Sequence, residues 1–333
     1  LYGRLIQMKR ALAIMIIMTV VLTSSILAHG LNHDDNFFIS SELPTKEIEI
    51  MTEIMKTLPE SDRADVIYFS ADGNVYANKP ELKFNVEASR YLGNGIYGWE
   101  NGETFVLPEE EFDYSLLSYT CDGTRGPYRR VYSNPGYAYY EGSVYLPSAS
   151  EVNDQSQPGG NDTAYIYTGG RNVTEVDAGF QYGKTNEDWA FFNRPSGQEY
   201  KSGARYKSGQ TVTLKFYVPS NGKVVVSTTG VRMGESSTST QTLVADAPGW
   251  NENGSGNILK RITSIGQLSN DFNSGSFVKN VKWSNSKIGT TSSDAGQWLA
   301  AQTGGYCSYP NSDIVNVNYV NAGEETVSIT IPN

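Results

Sequence analysis

The segment V-T-E-V-D-A-G-F-Q-Y, residues 173–182, together with D-W-A-F-F at 188–192, decides the fold of this chain. Successive side chains along a β-strand point to opposite faces of the sheet. With that period of two, the first segment has one apolar face and one polar face. The apolar face carries Val176, Ala178, Phe180 and Tyr182, and the polar face carries Glu175, Asp177 and Gln181. The pattern predicts a central strand whose apolar face fills a core and whose polar face reaches solvent on the concave side of a β-sandwich.

The two carboxylates of the polar face are the first candidates for a functional site. Residues i and i+2 of a strand lie about 6.5–7 Å apart, so Glu175 and Asp177 could converge on one small ligand group. Trp189 would then stand on the rim of a groove whose floor is this face. The alternative is the solvated outer face of an ordinary sandwich strand.

Strand and turn signals follow one another through the chain after about residue 113. Residues 211–229 show them best, since two alternating strands flank the hairpin turn S-N-G at 220–222. About nine or ten such strands predict a mainly β fold, an antiparallel β-sandwich or jelly roll over residues 113–333. Residues 294–301 are the one stretch of this region where a helix is expected.

Residues 29–112 are predicted to form a linker, a helix and a small α+β extension. The helix is expected at 41–58, where apolar residues recur near helical spacing before a proline. Residues 66–77 predict a β-hairpin around an Ala-Asp-Gly turn. Residues 91–107 are rich in glycine and aromatic side chains. The helix is expected to dock on the main domain, and a pro-region is the alternative.

The first 28 residues have the pattern of a secretory signal peptide. A basic start at Met8-Lys9-Arg10 precedes an apolar run and a zone of small residues that ends at Ala28, the expected cleavage site. Residues 1–7 would precede the start codon. The alternative is an uncleaved anchor, for which the interrupted apolar run is short. The chain is therefore expected to be secreted and to leave the membrane after cleavage.

Composition and charge narrow the class of partner. The chain has 333 residues with 22 tyrosines and 33 glycines, and charged residues make up only 19% of it. This composition favours an extracellular β-protein. The formal net charge is −10, and it becomes about −13 without the basic N-terminal segment. Such an acidic surface argues against nucleic acid and anionic membranes as partners.

Histidine is confined to the two residues His29 and His33, beside the expected processing site. The body of the chain therefore has no imidazole for Ser-His-Asp or Cys-His catalysis or for histidine-ligated zinc. No metal or cofactor is expected, with one alternative. The oxygen-rich stretches 161–162 and 270–273 could hold calcium, although they lack the ligand count of a defined motif.

Cys121 and Cys307 are the two cysteines of the chain. In an exported protein a single disulfide between them is expected. Two free thiols are the alternative.

Five segments resemble the YrpD-like family of secreted Bacillus-type proteins, over about residues 115–333. They are T-A-Y-I-Y-T-G-G-R (163–171), E-V-D-A-G-F-Q-Y (175–182), D-W-A-F-F (188–192), G-Q-T-V-T-L-K-F-Y-V-P (209–219) and F-V-K-N-V-K-W-S-N (277–285). The resemblance implies an extracellular location and the sandwich architecture, but no particular chemistry.

The same central strand also resembles the E-x-D-x-E strand of concanavalin-like lectin and glucanase sandwiches. In that resemblance the first acid, Glu175, would be the nucleophile, and the last acid would be the acid/base. The last position, or its bulged neighbour, is occupied by Gly179 or Phe180, however. A retaining glycosidase needs two carboxyl groups, so hydrolysis by that mechanism lacks one of its groups.

The sequence predicts a secreted β-sandwich that binds carbohydrate of the cell wall or matrix. Trp189 and Trp250 lie in polar stretches where a flat ring could stack on a sugar. The expected ligand-binding residues are Glu175, Asp177, Gln181, Trp189 and Trp250. One alternative is a polysaccharide hydrolase that uses Glu175 and Asp177, or a lyase centred on Tyr206 between Arg205 and Lys207. Another is a structural protein of the envelope or biofilm without catalytic activity.

Overall fold

The computed structural model describes residues 37–107, 121, 123, 125–153 and 161–333. Two large and mainly antiparallel sheets pack face to face, and a small sheet lies on one of them. The predicted mainly β sandwich is confirmed. The predicted signal peptide lies outside the described residues. Among the described helices none is long and apolar enough to cross a membrane.

Strands are numbered in chain order. Sheet A runs β2 (Val75–Ala77), β1 (Val66–Phe69), β16 (Thr238–Asp246), β15 (Lys223–Val231), β14 (Gln210–Ser220), β8 (Tyr139–Leu146), β18 (Phe277–Gly289), β22 (Glu324–Thr330) and β21 (Val315–Asn321), with β9 (Val152–Asn153) and β19 (Gly296–Gln297) also paired to β18. Sheet B runs β20 (Thr303–Tyr309), β7 (Tyr128–Ser133), β17 (Ile258–Gly266), β10 (Thr163–Arg171), β11 (Glu175–Gly183), β12 (Asp188–Pro195), β13 (Lys201–Lys207) and β3 (Glu87–Ala88). Sheet C is β4 (Arg90–Gly93), β5 (Ile96–Gly98) and β6 (Thr104–Val106).

Two α-helices and three short 3₁₀ turns complete the described elements. The helices are α1 (Thr45–Thr57) and α2 (Pro80–Phe84), and the turns are Glu60–Asp62, Ala149–Glu151 and Ala300–Gln302. The helix predicted at 294–301 is wrong. Asp294 accepts hydrogen bonds from the backbone N–H groups of Thr290 and Thr291 and so closes a turn, and the chain then pairs with β18 as the short strand β19.

The main core lies between sheets A and B. The apolar face of β11 enters it with Val176, Ala178, Phe180 and Tyr182, as the period-two pattern predicted. From sheet A, the alternating face of β14 meets them with Val212, Leu214 and Phe216. β11 lies in the middle of sheet B between β10 and β12, so its two faces decide what lies on each side of that sheet.

The N-terminal extension contributes to both large sheets. β1 pairs in parallel with β16 and thereby extends sheet A, while β3 pairs with β13 at the edge of sheet B. α1 buries Met51, Ile54 and Met55 on the outer face of sheet A, against residues such as Tyr217. The predicted helix and hairpin are both present.

Sheet C covers the outer face of sheet B. Trp99, Phe105 and Leu107 pack there against aromatic residues of β10 and β12, forming a second apolar cluster. The cover is also held by hydrogen bonds, because the Tyr165 hydroxyl donates to the Val106 carbonyl oxygen at 2.9 Å. The polar face of β11 therefore lies under sheet C and its flanking segments, rather than in open solvent.

The predicted disulfide between Cys121 and Cys307 is present, with the two Cα atoms 5.4 Å apart. It joins the chain just before β7 to β20, the strand that pairs with β7. The bridge thus ties the end of sheet B to the segment that precedes the first strand of the sandwich proper.

Candidate ligand-binding groove

The two carboxylates of β11 converge on a cation of the protein itself. Lys260 on β17 places its Nζ atom 2.6 Å from Glu175 Oε1 and 2.7 Å from Asp177 Oδ1. Arg194 on β12 places its Nη2 atom 2.7 Å from Asp177 Oδ2. Two cations and two anions therefore neutralise one another across four adjacent strands, with Lys260 on β17 reaching over β10 to the acids of β11.

The expectation that this face reaches solvent is wrong for Asp177 and Gln181. The side chain of Asp177 is only 8% exposed and that of Lys260 only 1%, and Gln181 is buried as well. The aromatic cover from sheet C excludes water here. A buried charge is tolerated when it is paired, and the cross-strand network supplies that pairing.

The guanidinium group of Arg194 stays charged in this network. Burial lowers its pKa, but the adjacent Asp177 carboxylate more than offsets that effect, so the pKa is raised overall. Of the four charged side chains, Arg194 extends furthest toward solvent, with 21% of its side chain exposed. It connects the buried network to the surface.

The expectation that Trp189 and Trp250 present their rings to a sugar is also wrong, because both side chains are buried in the main core. The Trp189 indole N–H donates to the Pro147 carbonyl oxygen, and the Trp250 N–H donates to that of Thr174. Trp189 lies opposite Tyr182 in the pairing of β11 with β12 and therefore shares its inward face. The register, not the polar neighbours in sequence, sets the direction of the ring.

The residues proposed for a lyase site have other roles. Tyr206 is buried in the main core, and burial raises the pKa of its hydroxyl, which is the opposite of what a catalytic base requires. Arg205 pairs with Asp188 at 2.7 Å and with Glu87 at 2.6 Å. The three-residue stretch thus belongs to the packing of β13.

The oxygen-rich stretches suggested for calcium are used within the protein. Asp162 Oδ2 accepts hydrogen bonds from Gln267 Nε2 at 2.9 Å and Ser276 Oγ at 2.8 Å. Over the described part of the chain, no three acidic, histidine or cysteine side chains cluster in a way that could hold a metal ion.

A groove opens where the edge of sheet C meets the turn between β12 and β13. We call it the tyrosine groove. Its volume is about 580 Å³. Its lining comprises Ser89, Tyr91, Tyr97, Leu107, Arg194, Pro195, Ser196, Gly197, Gln198, Glu199 and Tyr200.

One wall of the groove is aromatic and held in place. Tyr91 on β4 is 63% exposed, and its ring centroid lies 5.2 Å from that of Tyr97 on β5. The Tyr91 hydroxyl accepts a hydrogen bond from the Gly95 backbone N–H. Tyr97 stacks in turn on Phe105 of the buried cluster at 5.8 Å. An exposed ring face is therefore supported from behind by the apolar cover.

The opposite wall is polar and is anchored to β11. The Ser196 N–H donates to the Glu175 carbonyl oxygen at 2.8 Å, and Gln198 Nε2 donates to the Asp246 carbonyl oxygen at 2.6 Å. Glu199 is half exposed and pairs with Lys201 at 2.9 Å. Arg194 lies between the two walls. Glu175 and Asp177 are not among the residues that line the groove. The Glu175 backbone holds the turn at Ser196, and the Asp177 carboxylate holds Arg194.

Sequence reasoning did not assign any role to Tyr91, Tyr97 or Arg194. The available signal was the glycine- and aromatic-rich composition of residues 91–107. The groove combines that segment with a turn about a hundred residues later in the chain, and only the tertiary structure brings them together.

Comparison with known proteins finds one relative by sequence. The chain is 30% identical over 117 residues to the uncharacterised protein YrpD of Bacillus subtilis (strain 168), and the match covers 32% of this chain and 46% of that protein. The chain thus spans about half the length of the curated relative. This similarity supports the YrpD-like relationship that the motifs predicted, whereas a likeness to lectins or glucanases is not shown. No protein-family model matches the chain.

Solved structures of peptidases share a distant likeness. Scytalido-glutamic peptidase with a peptide-based transition state analog aligns with a TM-score of 0.44 and 6% identity, over 62% of this chain and all of that one. SCP-B, a member of the Eqolisin family in a complex with the tripeptide Ala-Ile-His, aligns at 0.38 and 6%, with the same coverage. Scores this low define neither a shared active site nor an activity.

Proposed function

We propose that the protein is exported and binds carbohydrate, and that the tyrosine groove is its binding site. The observation that carries the proposal is the exposed ring of Tyr91, supported by Tyr97, facing a polar wall across an open groove. The predicted signal peptide and the disulfide support the location.

Both walls suit a sugar. An aromatic face offers apolar area and a negative π-surface to the C–H groups of a pyranose ring. Ser196, Gln198 and Glu199 make hydrogen bonds or ion pairs within the protein, but their hydroxyl, amide and carboxylate oxygens can still accept hydrogen bonds from sugar hydroxyls. A volume of about 580 Å³ is within the usual range of small-molecule sites, and the open rim leaves room for a longer chain to continue.

The catalytic alternatives are less well supported by these residues. Glu175 and Asp177 both pair with Lys260, so their carboxylate oxygens are engaged within the protein and do not face a substrate in the groove. Tyr206 is buried with a raised pKa. Binding without hydrolysis or elimination is therefore preferred over a hydrolase or a lyase. A purely structural role is the remaining alternative, and the following experiment distinguishes it.

The test is retention of the secreted chain on immobilised wall and matrix polysaccharides, followed by affinity measurement on a soluble oligosaccharide that is retained. Tyr91→Ala should weaken binding about tenfold or more, which corresponds to about 1.4 kcal/mol, because the stacking face is lost. Tyr319→Ala is the matched control, since Tyr319 on β21 is 45% exposed and does not line the groove.

Two results would refute the proposal. One is that no polysaccharide retains the wild-type protein, which would favour the structural alternative. The other is that Tyr91→Ala binds as tightly as Tyr319→Ala, which would move the site elsewhere.

A further inference from the structure

Arg194 is the one cation among the described residues that line the tyrosine groove, and Glu199 is the one acid. Arg194 lies opposite Asp177 in the pairing of β11 with β12. The Asp177 carboxylate holds the guanidinium group, with 2.7 Å between Nη2 and Oδ2. Because 21% of the Arg194 side chain is exposed, this ion pair fixes the guanidinium at the groove without sealing it from solvent.

Most of the hydrogen-bonding capacity of this guanidinium is unused. Arginine has five N–H donors in a planar fork, and within the described residues Arg194 donates one hydrogen bond, from Nη2 to Asp177. Its Nε and Nη1 atoms are not sealed in the interior, in contrast to the unpaired Nε atom of Arg261. Whichever Nη2 hydrogen Asp177 accepts, the other one and an adjacent N–H of Nε or Nη1 form a second, intact edge of the fork.

A two-pronged guanidinium edge matches a carboxylate, whose two oxygens accept both hydrogen bonds side by side. The guanidinium is charged throughout, because the Asp177 carboxylate raises the pKa of Arg194. The net charge of the chain, −10, repels anions at long range. Exposed charges more than about 8 Å apart are largely screened at physiological ionic strength, however. Recognition of an anion would therefore act at contact distance, through the free edge of Arg194.

Resting on the proposed carbohydrate-binding function, we propose that the tyrosine groove is selective for acidic sugars and that Arg194 binds the carboxylate of a uronic acid. The pyranose ring would lie on the exposed face of Tyr91, and its carboxylate would meet the free edge of the guanidinium between the two walls. Asp177 is then a positioning residue, because it holds the guanidinium without occupying that edge. The ion pair between Arg194 and Asp177 stays intact when the ligand binds.

The experiment compares acidic sugars with neutral sugars of the same stereochemistry. Oligogalacturonate is paired with its methyl ester of the same length, and glucuronate, galacturonate and mannuronate are paired with glucose, galactose and mannose. Their affinities for the full chain would be measured by calorimetry or ligand-observed NMR at neutral pH and fixed ionic strength. At least one acid should bind about tenfold more tightly than its neutral counterpart, because hydrogen bonds between two charged groups are the strong ones.

Substitutions assign that preference to the guanidinium. Arg194→Lys keeps a positive charge beside Asp177 but presents no planar fork, so the acid-to-neutral ratio of affinities should fall about threefold or more. Arg90→Gln is the matched control, because Arg90 is an exposed cation on β4 that does not line the groove, and it should leave the ratio unchanged. Glu199→Gln leaves the Arg194 pair untouched and removes the acid of the lining. It should raise the ratio, and it serves as the test if Arg194→Lys lowers the thermal midpoint.

Two results would overturn this inference while leaving the groove as a carbohydrate site. One is a ratio near one for every pair of sugars, with binding of the neutral sugars still weakened by Tyr91→Ala. The other is a ratio that falls equally in Arg194→Lys and Arg90→Gln, since the preference would then reflect net charge and not the guanidinium edge. If the wild type binds none of the sugars or polysaccharides, the inference and the proposed function both fall.

Discussion

Replacing Asp177 with asparagine should lower the free energy of unfolding by about 3 kcal/mol. The carboxylate holds Lys260 at 2.7 Å and Arg194 at 2.7 Å. Removing one partner of a buried ion pair costs about 3–5 kcal/mol, since it leaves an uncompensated charge away from water. The low end of that range applies for two reasons. Lys260 keeps Glu175 at 2.6 Å, and Arg194 is exposed enough to gain water.

The measurement is urea and thermal unfolding at neutral pH. For a chain of this size about 2 °C per kcal/mol is the appropriate conversion, so the midpoint should fall by about 6 °C. Added salt should change the difference little, because buried pairs are weakly screened. Asp313→Asn is the matched control, since Asp313 is exposed in the turn before β21, and its effect should stay within about 0.5 kcal/mol.

An Asp177→Asn variant as stable as Asp313→Asn would refute the reasoning. It would mean that the carboxylate is dispensable for the fold and free to meet a ligand. Glu175→Gln provides a graded check. Glu175 is the more exposed of the two acids, and its loss leaves Lys260 with Asp177, so the destabilisation should be smaller than that of Asp177→Asn.

Three further changes test other parts of the structure. Phe180→Ala should destabilise the protein by about 3–5 kcal/mol in urea unfolding, because a fully buried ring of the main core is deleted; a loss below about 1 kcal/mol would place Phe180 outside that core. Glu103→Gln should raise the thermal midpoint at pH 7 but not near pH 4. Burial raises the pKa of the Glu103 carboxyl group, so the protonated side chain stabilises the fold below the ordinary glutamate pKa, and this stabilisation is lost as the pH rises through the folded-state pKa. Glutamine stays neutral at both pH values. An equal shift at both pH values would contradict this assignment. Cys307→Ser should lower the free energy of unfolding by about 5 kcal/mol in the chain-entropy model, because 186 residues separate it from Cys121. Reduction of the wild type should reproduce this loss. The stability of Cys307→Ser should not change when reductant is added.

The alternation in residues 173–182 was sufficient to predict which side chains of β11 enter the core. That prediction depends only on the alternation of side chains along a strand, which does not change with the rest of the tertiary structure. The same alternation could not show what covers the other face. Sheet C lies some seventy to eighty residues earlier in the chain, and its contact with Tyr165 and Phe192 is entirely tertiary. The expectation of a solvent-reaching face failed for that reason.

Trp189 illustrates a different limit. The residues that precede it, 184–188, are polar, which favoured an exposed ring. In the sheet its position is set by pairing with Tyr182, and the two rings meet edge to face at 5.1 Å inside the core. The register between two strands follows from their joint burial and not from the composition of either one. Tyr91 shows the converse, because a tyrosine assigned to the extension is the exposed ring of the groove.

The extension has a larger part in the candidate site than its position in the sequence suggests. β1 adds to sheet A, β3 adds to sheet B, and sheet C covers the outer face of sheet B. Loss of residues 37–107 would expose the aromatic cluster around Tyr165, Tyr167 and Phe192, and large exposed apolar patches promote association. It would also remove the wall that carries Tyr91. This segment completes two sheets and one side of the groove. The groove therefore forms only when the extension has folded onto the sandwich.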